Sequence, residues 1–239
     1  MELPRLVLLP GMDGTGDLFE PLIQAIGAQA VLDVARYPTQ RPLSYDELED
    51  LVRPQLPAGP FVLLGESFSG PLAVSLAAAR PPGLLGVVLC CSFVRNPRPA
   101  LTAFAGLLSA WPLRRMSVMP MLPPARHLLL GRFGTPQLAQ LLAGALGKVS
   151  PAVMVHRAQQ VLRIHVADKL RTLRVPVLYL QAAQDRVVPT TAARFVQQVL
   201  PATRVVRLEG PHCLLQASPA EAATALLSFC QGLVPTRSA

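Results

Sequence analysis

The sequence predicts an α/β fold in which a doubly wound, mostly parallel six-stranded sheet carries a helical lid insertion. Short apolar segments alternate with amphipathic ones near both ends of the chain, as in a parallel sheet with helices on both faces. The chain has 239 residues, 51% of them hydrophobic, and can bury a large core as one domain. Between the two alternating regions lie 80 residues with no convincing strand, and these are predicted to be helical.

Six apolar segments of strand length define the predicted sheet. The fourth is a continuous apolar stretch, which is typical of a strand covered on both faces. The predicted strands span residues 5–9, 31–36, 61–64, 84–91, 175–181 and 203–208.

Capping residues predict where several helices begin. Asp17 and Ser44 each precede a carboxylate by three residues, which is the capping-box spacing. Ser218 is followed by a proline, the residue favoured at a first helical position. The predicted helices of the sheet domain span residues 17–28, 44–56, 71–79, 190–200 and 218–233.

The domain prediction divides the chain into a core, residues 1–94 and 175–239, and a lid, residues 95–174. The predicted lid helices span residues 101–111, 125–132, 137–146 and 152–166. The apolar side chains of the lid suit an acyl chain, or else form the lid's own core, which is the favoured interpretation for most of them. They are Phe104, Leu107, Leu108, Trp111, Met116, Met119 and Met121.

Charge distinguishes the predicted lid from the core. The lid carries 12 basic residues against one acid, whereas the remainder carries 10 basic and 13 acidic residues. A basic lid attracts an anionic substrate, such as the thioester of a phosphorylated carrier, or makes peripheral contact with an anionic membrane face. The alternative, a solvated surface in an arginine-rich chain, is slightly favoured because a patch of one sign steers ligands without specifying them.

The strongest motif is Gly65-Glu66-Ser67-Phe68-Ser69-Gly70, which lies between a predicted strand and a helix rich in Ala and Leu. In a serine elbow the nucleophile takes a strained backbone conformation, so the residues two positions away must be small. Here they are Gly65 and Ser69, the latter a small departure from the usual glycine. Glu66 is expected to support the structure. The alternative is a strand-to-helix loop with a capping serine.

A glycine-rich loop, residues 10–16, follows the first strand. Its spacing is neither that of a dinucleotide-binding loop nor that of a P-loop. In a parallel sheet whose order reverses beside the first strand, this loop faces the elbow across the switch point, where ligands bind. The backbone N–H of Met12 can then join that of Phe68 in holding an oxyanion.

Two further residues lie just past predicted strands. Asp185 alone is better explained as a turn or cap residue, and a lone loop histidine such as His212 is usually unremarkable. His212 is, however, the one histidine of four that lies outside the lid. Ser67, Asp185 and His212 follow each other in the chain order of a hydrolase triad, each after a strand, which favours a catalytic interpretation.

These motifs resemble the α/β-hydrolase superfamily over nearly the whole chain outside the lid. The resemblance implies a compact bacterial serine hydrolase, similar to carboxylesterases and thioesterases. It implies Ser67 as nucleophile, His212 as general base, Asp185 as its orienting acid, and backbone oxyanion donors at Met12 and Phe68. Many members carry His where this chain has Pro10, and the two leading edge strands of larger members are missing. A serine nucleophile argues against dehalogenase and epoxide hydrolase chemistry, which use aspartate.

The expected substrate is a small acyl compound, with no cofactor and no metal. No nucleic acid partner and no membrane span are expected, since no apolar stretch reaches the length that a span needs. Four cysteines without metal-type spacing predict core thiols in the cytoplasm. Acyl transfer, C–C bond hydrolysis or elimination by the same triad, and a ligand-binding role without catalysis remain as alternatives.

Overall fold

The computed structural model describes residues 3–100 and 122–234, and its strands form a six-stranded sheet. The strands are β1 (Arg5–Leu9), β2 (Leu32–Val34), β3 (Phe61–Glu66), β4 (Leu84–Cys90), β5 (Val177–Ala182) and β6 (Arg204–Leu208). They lie in the order β2-β1-β3-β4-β5-β6, and each neighbouring pair is parallel. The order reverses beside β1, so the predicted doubly wound sheet is confirmed.

All strands but β1 have bounds that differ from the prediction by one or two residues at an end, and two of these differences have a clear structural reason or consequence. The edge strand β2 has only three residues, because β1 pairs with it only from Leu6 to Leu8 before the chain turns away. Strand β3 continues to Glu66, pairing with Cys90 of β4, and therefore delivers Ser67 directly from the strand end.

The helices are numbered in chain order over the described residues. They are α1 (Glu20–Ile26), α2 (Tyr45–Val52), α3 (Gly70–Ala78), α4 (Leu122–Leu130), α5 (Pro136–Gly147), α6 (Pro151–Arg163), α7 (Ala167–Arg171), α8 (Thr190–Val199), α9 (Leu214–Ala217) and α10 (Pro219–Leu233). The short helices α7 and α9 were not predicted. The predicted helix 101–111 lies outside the described residues.

Alternating side chains of the strands bury both faces of the sheet. In β1, Leu6 and Leu8 belong to one buried cluster, with side chains of α1, α9 and α10. Val7 and Leu9 belong to the other, with side chains of α2, α3, α7 and α8. Since successive strand residues point to opposite faces, this division follows from the period of two.

One of the three predicted caps forms as expected. The Ser44 hydroxyl accepts a hydrogen bond from the Glu47 N–H at 3.3 Å, and the Glu47 carboxylate accepts one from the Ser44 N–H at 2.8 Å. Ser218 does precede α10, but its hydroxyl donates to the Glu209 carbonyl at 2.7 Å. The Ser218 hydroxyl therefore bonds this loop carbonyl instead of capping the helix.

The predicted Asp17 cap is wrong. Gly16 occupies the capping position of a 3-10 turn that precedes α1, at φ 76°. The Asp17 carboxylate instead forms ion pairs with Lys148 at 2.7 Å and Arg36 at 3.0 Å. The hydrogen bond from Lys148 is the main cause that lowers the pKa of Asp17. The Asp17 carboxylate thus pairs with Arg36 and Lys148 rather than with the backbone N–H groups of the nearby helix.

Helices α4 to α7 lie between β4 and β5, in the segment predicted to be the lid and called the insertion below. Thr135 and Ser150 cap α5 and α6, each followed by a proline. Leu130, Leu142 and Leu146 pack with Leu18 of the sheet domain in a third buried cluster. Over the described residues, no single helix is long and apolar enough to cross a membrane, although α5 and α6, bent by 96° at their junction, pass the length and composition test as a pair.

Candidate active site

Ser67 lies at the turn between β3 and α3 in the left-handed region, at φ 47°. A Cβ on Gly65 would lie 2.5 Å from the Ser69 carbonyl oxygen and 2.9 Å from the Gly70 Cα, so only glycine fits this turn. A non-glycine residue held at positive φ is strained and persists only where surrounding packing fixes it. The structure therefore has the serine elbow geometry that the sequence predicts.

A hydrogen-bonded chain connects the three predicted polar residues. Ser67 Oγ lies 2.8 Å from His212 Nε2, and His212 Nδ1 lies 2.9 Å from Asp185 Oδ2. Because a carboxylate only accepts hydrogen bonds, Nδ1 carries the proton and Nε2 is free to accept from the serine hydroxyl. The structure thus brings together Ser67, Asp185 and His212, 145 residues apart at the widest.

Backbone groups hold the Asp185 carboxylate in place. Its Oδ1 accepts hydrogen bonds from the N–H groups of Val187 and Val188, both at 2.8 Å. The side chains of Asp185 and His212 are 5% and 6% exposed. Since β3, β5 and β6 are parallel, their carboxyl ends meet at one edge of the sheet, which explains why three loops so distant in sequence converge here.

The loop after β1 lies beside the elbow, and Met12 lines the same pocket as Ser67. The Gly11 carbonyl accepts a hydrogen bond from the Gly14 N–H at 3.1 Å, and the Ser67 carbonyl accepts one from the Ser92 hydroxyl at 2.6 Å. In a trans peptide the N–H points opposite to the carbonyl. These two bonds therefore fix the directions of the Met12 and Phe68 N–H groups, the predicted oxyanion donors.

Ser69 shows why this elbow departs from the usual glycine. Its hydroxyl donates to the Pro10 carbonyl in the loop after β1 and lies 2.7 Å from the Tyr37 hydroxyl. The serine therefore ties the elbow to the loop that faces it. Tyr45 adds a further bond, donating its hydroxyl to the Phe68 carbonyl at 2.8 Å.

Glu66 is buried behind the nucleophile and contributes to the pocket wall. Burial raises the pKa of its carboxyl group to about 7, the charge of Asp13 adds to the rise, and a hydrogen bond from Gln216 opposes it. The Gln216 side chain donates to Glu66 Oε1 at 3.0 Å. This placement agrees with the expected supporting role.

Residues that the sequence analysis missed also surround the site: Tyr37, Tyr45, Ser92 and Arg157. Ser92 lies just past the carboxyl end of β4, as Asp185 lies just past the carboxyl end of β5. That placement was a usable signal. For the two tyrosines and Arg157, nothing in the local pattern distinguishes them from core or surface residues.

A pocket of about 160 Å³ opens beside Ser67 and His212. Its apolar wall comes largely from the insertion, with contributions from the sheet domain. The apolar lining residues are Met12, Leu18, Ala125, Leu129, Leu142, Leu146, Met154, Val187 and Cys213. The apolar residues first considered for an acyl chain, between 104 and 121, lie outside the described residues. In the described ranges, no group of three or more His, Cys, Asp or Glu residues is arranged to hold a metal.

A parallel sheet with a serine elbow after β3, and an aspartate and a histidine after the last two strands, is the arrangement of an α/β hydrolase. The sequence profile of the alpha/beta hydrolase family matches residues 6–225, and the chain belongs to this family. The resemblance seen in the sequence is therefore confirmed.

Solved structures share the fold at low sequence identity. An esterase from Thermogutta terrifontis has a TM-score of 0.83 at 16% identity, with 97% of this chain and 91% of that one covered. A bromoperoxidase from Bacillus anthracis has a TM-score of 0.78 at 16% identity, covering 95% and 92%. An enol-lactonase from Burkholderia xenovorans has a TM-score of 0.75 at 16% identity, covering 98% and 92%. No curated protein matches the sequence. These similarities show the fold, and the reaction must be argued from the site.

Proposed function

We propose that the protein is a serine hydrolase that cleaves a carboxylic ester or thioester through an acyl-enzyme on Ser67. The observation that carries the proposal is the hydrogen-bonded chain from Ser67 through His212 to Asp185, which opens onto an apolar pocket. A serine hydroxyl is a weak nucleophile until a neighbouring base takes its proton, and this arrangement supplies that base.

In the first half of the reaction, Ser67 Oγ attacks the acyl carbonyl carbon while His212 Nε2 takes the hydroxyl proton. Asp185 holds the imidazole in the required tautomer and stabilises the imidazolium. The Met12 and Phe68 N–H groups donate to the oxyanion of the tetrahedral intermediate. Collapse breaks the ester or thioester bond, and His212 gives its proton to the leaving group.

In the second half, water enters and His212 takes one of its protons as the water oxygen attacks the acyl-enzyme carbonyl. Collapse of the second tetrahedral intermediate releases the carboxylic acid and returns the proton to Ser67. In acyl transfer an alcohol would replace water in this half. The ratio of ester to acid formed in the presence of an added alcohol distinguishes the two reactions.

The pocket favours a short or compact acyl group. Its volume is about 160 Å³, and an apolar cavity of about 150 Å³ is known to hold a benzene-sized molecule. The lining includes apolar side chains such as Leu142, Leu146 and Met154, which suit an acyl chain, together with the carboxyl groups of Asp13 and Glu66. We therefore expect short and medium acyl esters to be better substrates than long-chain esters.

The decisive experiment measures hydrolysis of p-nitrophenyl acetate, butyrate, octanoate and laurate by the wild type and by Ser67→Ala. We expect turnover by the wild type, strongest for the shorter esters, and a loss of at least about 10³-fold in Ser67→Ala with the fold retained. Ser75→Ala, which removes a buried hydroxyl on α3 that accepts from Lys169, is the matched control and should keep wild-type turnover. Saturable ester binding without turnover would favour the ligand-binding alternative.

The anionic substrate, peripheral membrane contact and cytoplasmic location remain predictions. Several cations of the insertion have partners within the protein: Lys148 pairs with Asp17, and Arg171 pairs with Asp168. These contacts support the solvated-surface interpretation of the charge.

Comparing kcat/KM for a neutral and an anionic thioester at low and high salt tests substrate steering. Sedimentation with anionic vesicles tests membrane contact. The four cysteines are free and buried, which supports a location in a reducing compartment.

A further inference from the structure

Arg157 is an insertion residue that packs against the loop after β1, beside the site. It lies on α6 and is 2% exposed, whereas Arg163 on the same helix is exposed. Gly14, at φ 68°, provides the space: a Cβ there would lie 2.7 Å from Arg157 Nη1. The glycine-rich loop after β1 is thus shaped around a guanidinium group that comes from the insertion.

The guanidinium group is held by backbone carbonyls. Nη1 donates to the Met12 carbonyl at 2.7 Å, and Nη2 donates to the Pro38 carbonyl at 3.0 Å. Among the described residues, no carboxylate lies within ion-pair distance of Arg157. Hydrogen bonds from a charged donor are about twice as strong as neutral ones, so both carbonyls are held firmly. Burial lowers the pKa of Arg157, but a guanidinium remains charged in proteins.

Arg157 contacts both residues that carry the proposed oxyanion donors. Besides the Met12 carbonyl, its guanidinium carbon lies 5.9 Å from the centroid of the Phe68 ring and 5.7 Å from that of Tyr37. These distances are within the range of cation–π contacts. The Arg157 side chain therefore contacts both Met12 and Phe68, the two residues whose N–H groups are the proposed oxyanion donors.

The Met12 carbonyl belongs to the peptide unit directly after the Met12 N–H, the proposed oxyanion donor. The bond from Arg157 to this carbonyl therefore restrains the backbone next to the donor. The preceding peptide, which carries the Met12 N–H, is fixed by the bond from Gly14 N–H to the Gly11 carbonyl at 3.1 Å. With both peptide planes held, the backbone of Met12 has little freedom to rotate. An oxyanion donor is effective when its direction is set before the reaction begins.

We propose that Arg157 is a positioning residue that fixes the Met12 N–H for oxyanion binding through the Met12 carbonyl. The proposal rests on the serine hydrolase function. It makes the insertion part of the catalytic apparatus, although no side chain of α6 is assigned a chemical step. A purely structural tether between α6 and the sheet domain is the competing explanation.

The test compares Arg157→Met and Arg157→Lys with Arg163→Met, the exposed control on the same helix. Each variant is examined for its melting temperature, its kcat and KM on p-nitrophenyl butyrate, and the stoichiometry of labelling by a fluorophosphonate. Misplacing a catalytic group by about 1 Å can cost about 100-fold in rate, and removing an oxyanion donor costs about 100- to 1,000-fold. We therefore expect kcat of Arg157→Met to fall about 10- to 100-fold with KM changed less than about threefold.

The kcat of Arg157→Lys should lie between those of Arg157→Met and the wild type. An ammonium group can reach one carbonyl but cannot donate to both the Met12 and the Pro38 carbonyls as the planar guanidinium group does. Both variants should still bind one phosphonyl group per chain at completion, and Arg163→Met should match the wild type. A wild-type kcat in folded, fully labelled Arg157→Met would overturn the proposal, even with a lower melting temperature. So would failure of both variants to fold, since Arg157 would then be a structural residue. If the wild type neither turned over the ester nor reacted, the hydrolase function itself would fail.

Discussion

The carboxylate of Asp185 offers a sharp test of the site, because its two oxygens differ in their backbone partners. Oδ1 accepts from the Val187 and Val188 N–H groups at 2.8 Å and also lies 3.0 Å from His212 Nδ1, whereas Oδ2 lies 2.9 Å from His212 Nδ1. In Asp185→Asn, the amide oxygen must take the Oδ1 position, since both backbone groups are donors. The amide NH₂ group then takes the Oδ2 position and donates to His212 Nδ1.

That donation favours the imidazole tautomer with its proton on Nε2, which faces Ser67 and then cannot accept the serine proton. A wrong histidine tautomer of this kind costs about 10⁴-fold in kcat, equivalent to about 5 kcal/mol in the activation barrier. Stability should change little, within about 1 kcal/mol, because each hydrogen bond of the carboxylate is replaced by one of the amide. The variant thus separates catalysis from folding.

The assay is steady-state hydrolysis of p-nitrophenyl butyrate, with urea denaturation as the measure of stability. Asp168→Asn is the control, since the Asp168 side chain is 87% exposed and pairs with Arg171 at the surface. It should keep wild-type kcat. A kcat for Asp185→Asn within tenfold of the wild type would refute the assigned tautomer, and with it the role of His212 as general base.

Two further predictions concern the elbow. Burial raises the pKa of Glu66 from 4.5 to about 7, so the folded state binds more protons than the unfolded state between these values and loses stability as the pH rises. Urea denaturation should therefore show Glu66→Gln gaining roughly 3 kcal/mol relative to the wild type between pH 4 and pH 8, and a constant difference would contradict the buried acid. Gly65→Ala should cost about 3 kcal/mol and abolish labelling by a fluorophosphonate, because its Cβ meets the backbone at Ser69. Gly144→Ala, in open space on α5, should instead raise stability by about 1 kcal/mol, as thermal melts can show.

The parts of the site that the sequence predicts are those encoded by local rules. The Gly65 elbow needs small residues at fixed spacing, and the carboxyl ends of parallel strands meet at one edge whatever the details of packing. Ser67, Asp185 and His212 could therefore be assembled without coordinates. The capping box at Ser44 forms as predicted for the same reason, since all its atoms lie within four residues.

The parts that the sequence does not predict depend on partners distant along the chain. Asp17 has the spacing of a cap, but Lys148, 131 residues away, takes its carboxylate. Arg157 looks like one more cation on a basic helix, yet it is buried against the Met12 carbonyl 145 residues away. Neither contact can be recognised from the spacing or the position of the residues in the sequence. The function of a charged side chain in the insertion can thus be assigned only once the tertiary contacts are known.

The central claim is that Ser67 is an activated nucleophile, and intact mass spectrometry after exposure to a small fluorophosphonate tests it most directly. The wild type and Ser67→Ala are compared after circular dichroism has shown both to be folded. We predict one phosphonyl adduct on the wild type, located on the peptide that contains Ser67, and none on the variant. A folded wild type that stays unmodified, or an equal adduct on Ser67→Ala, would contradict the account.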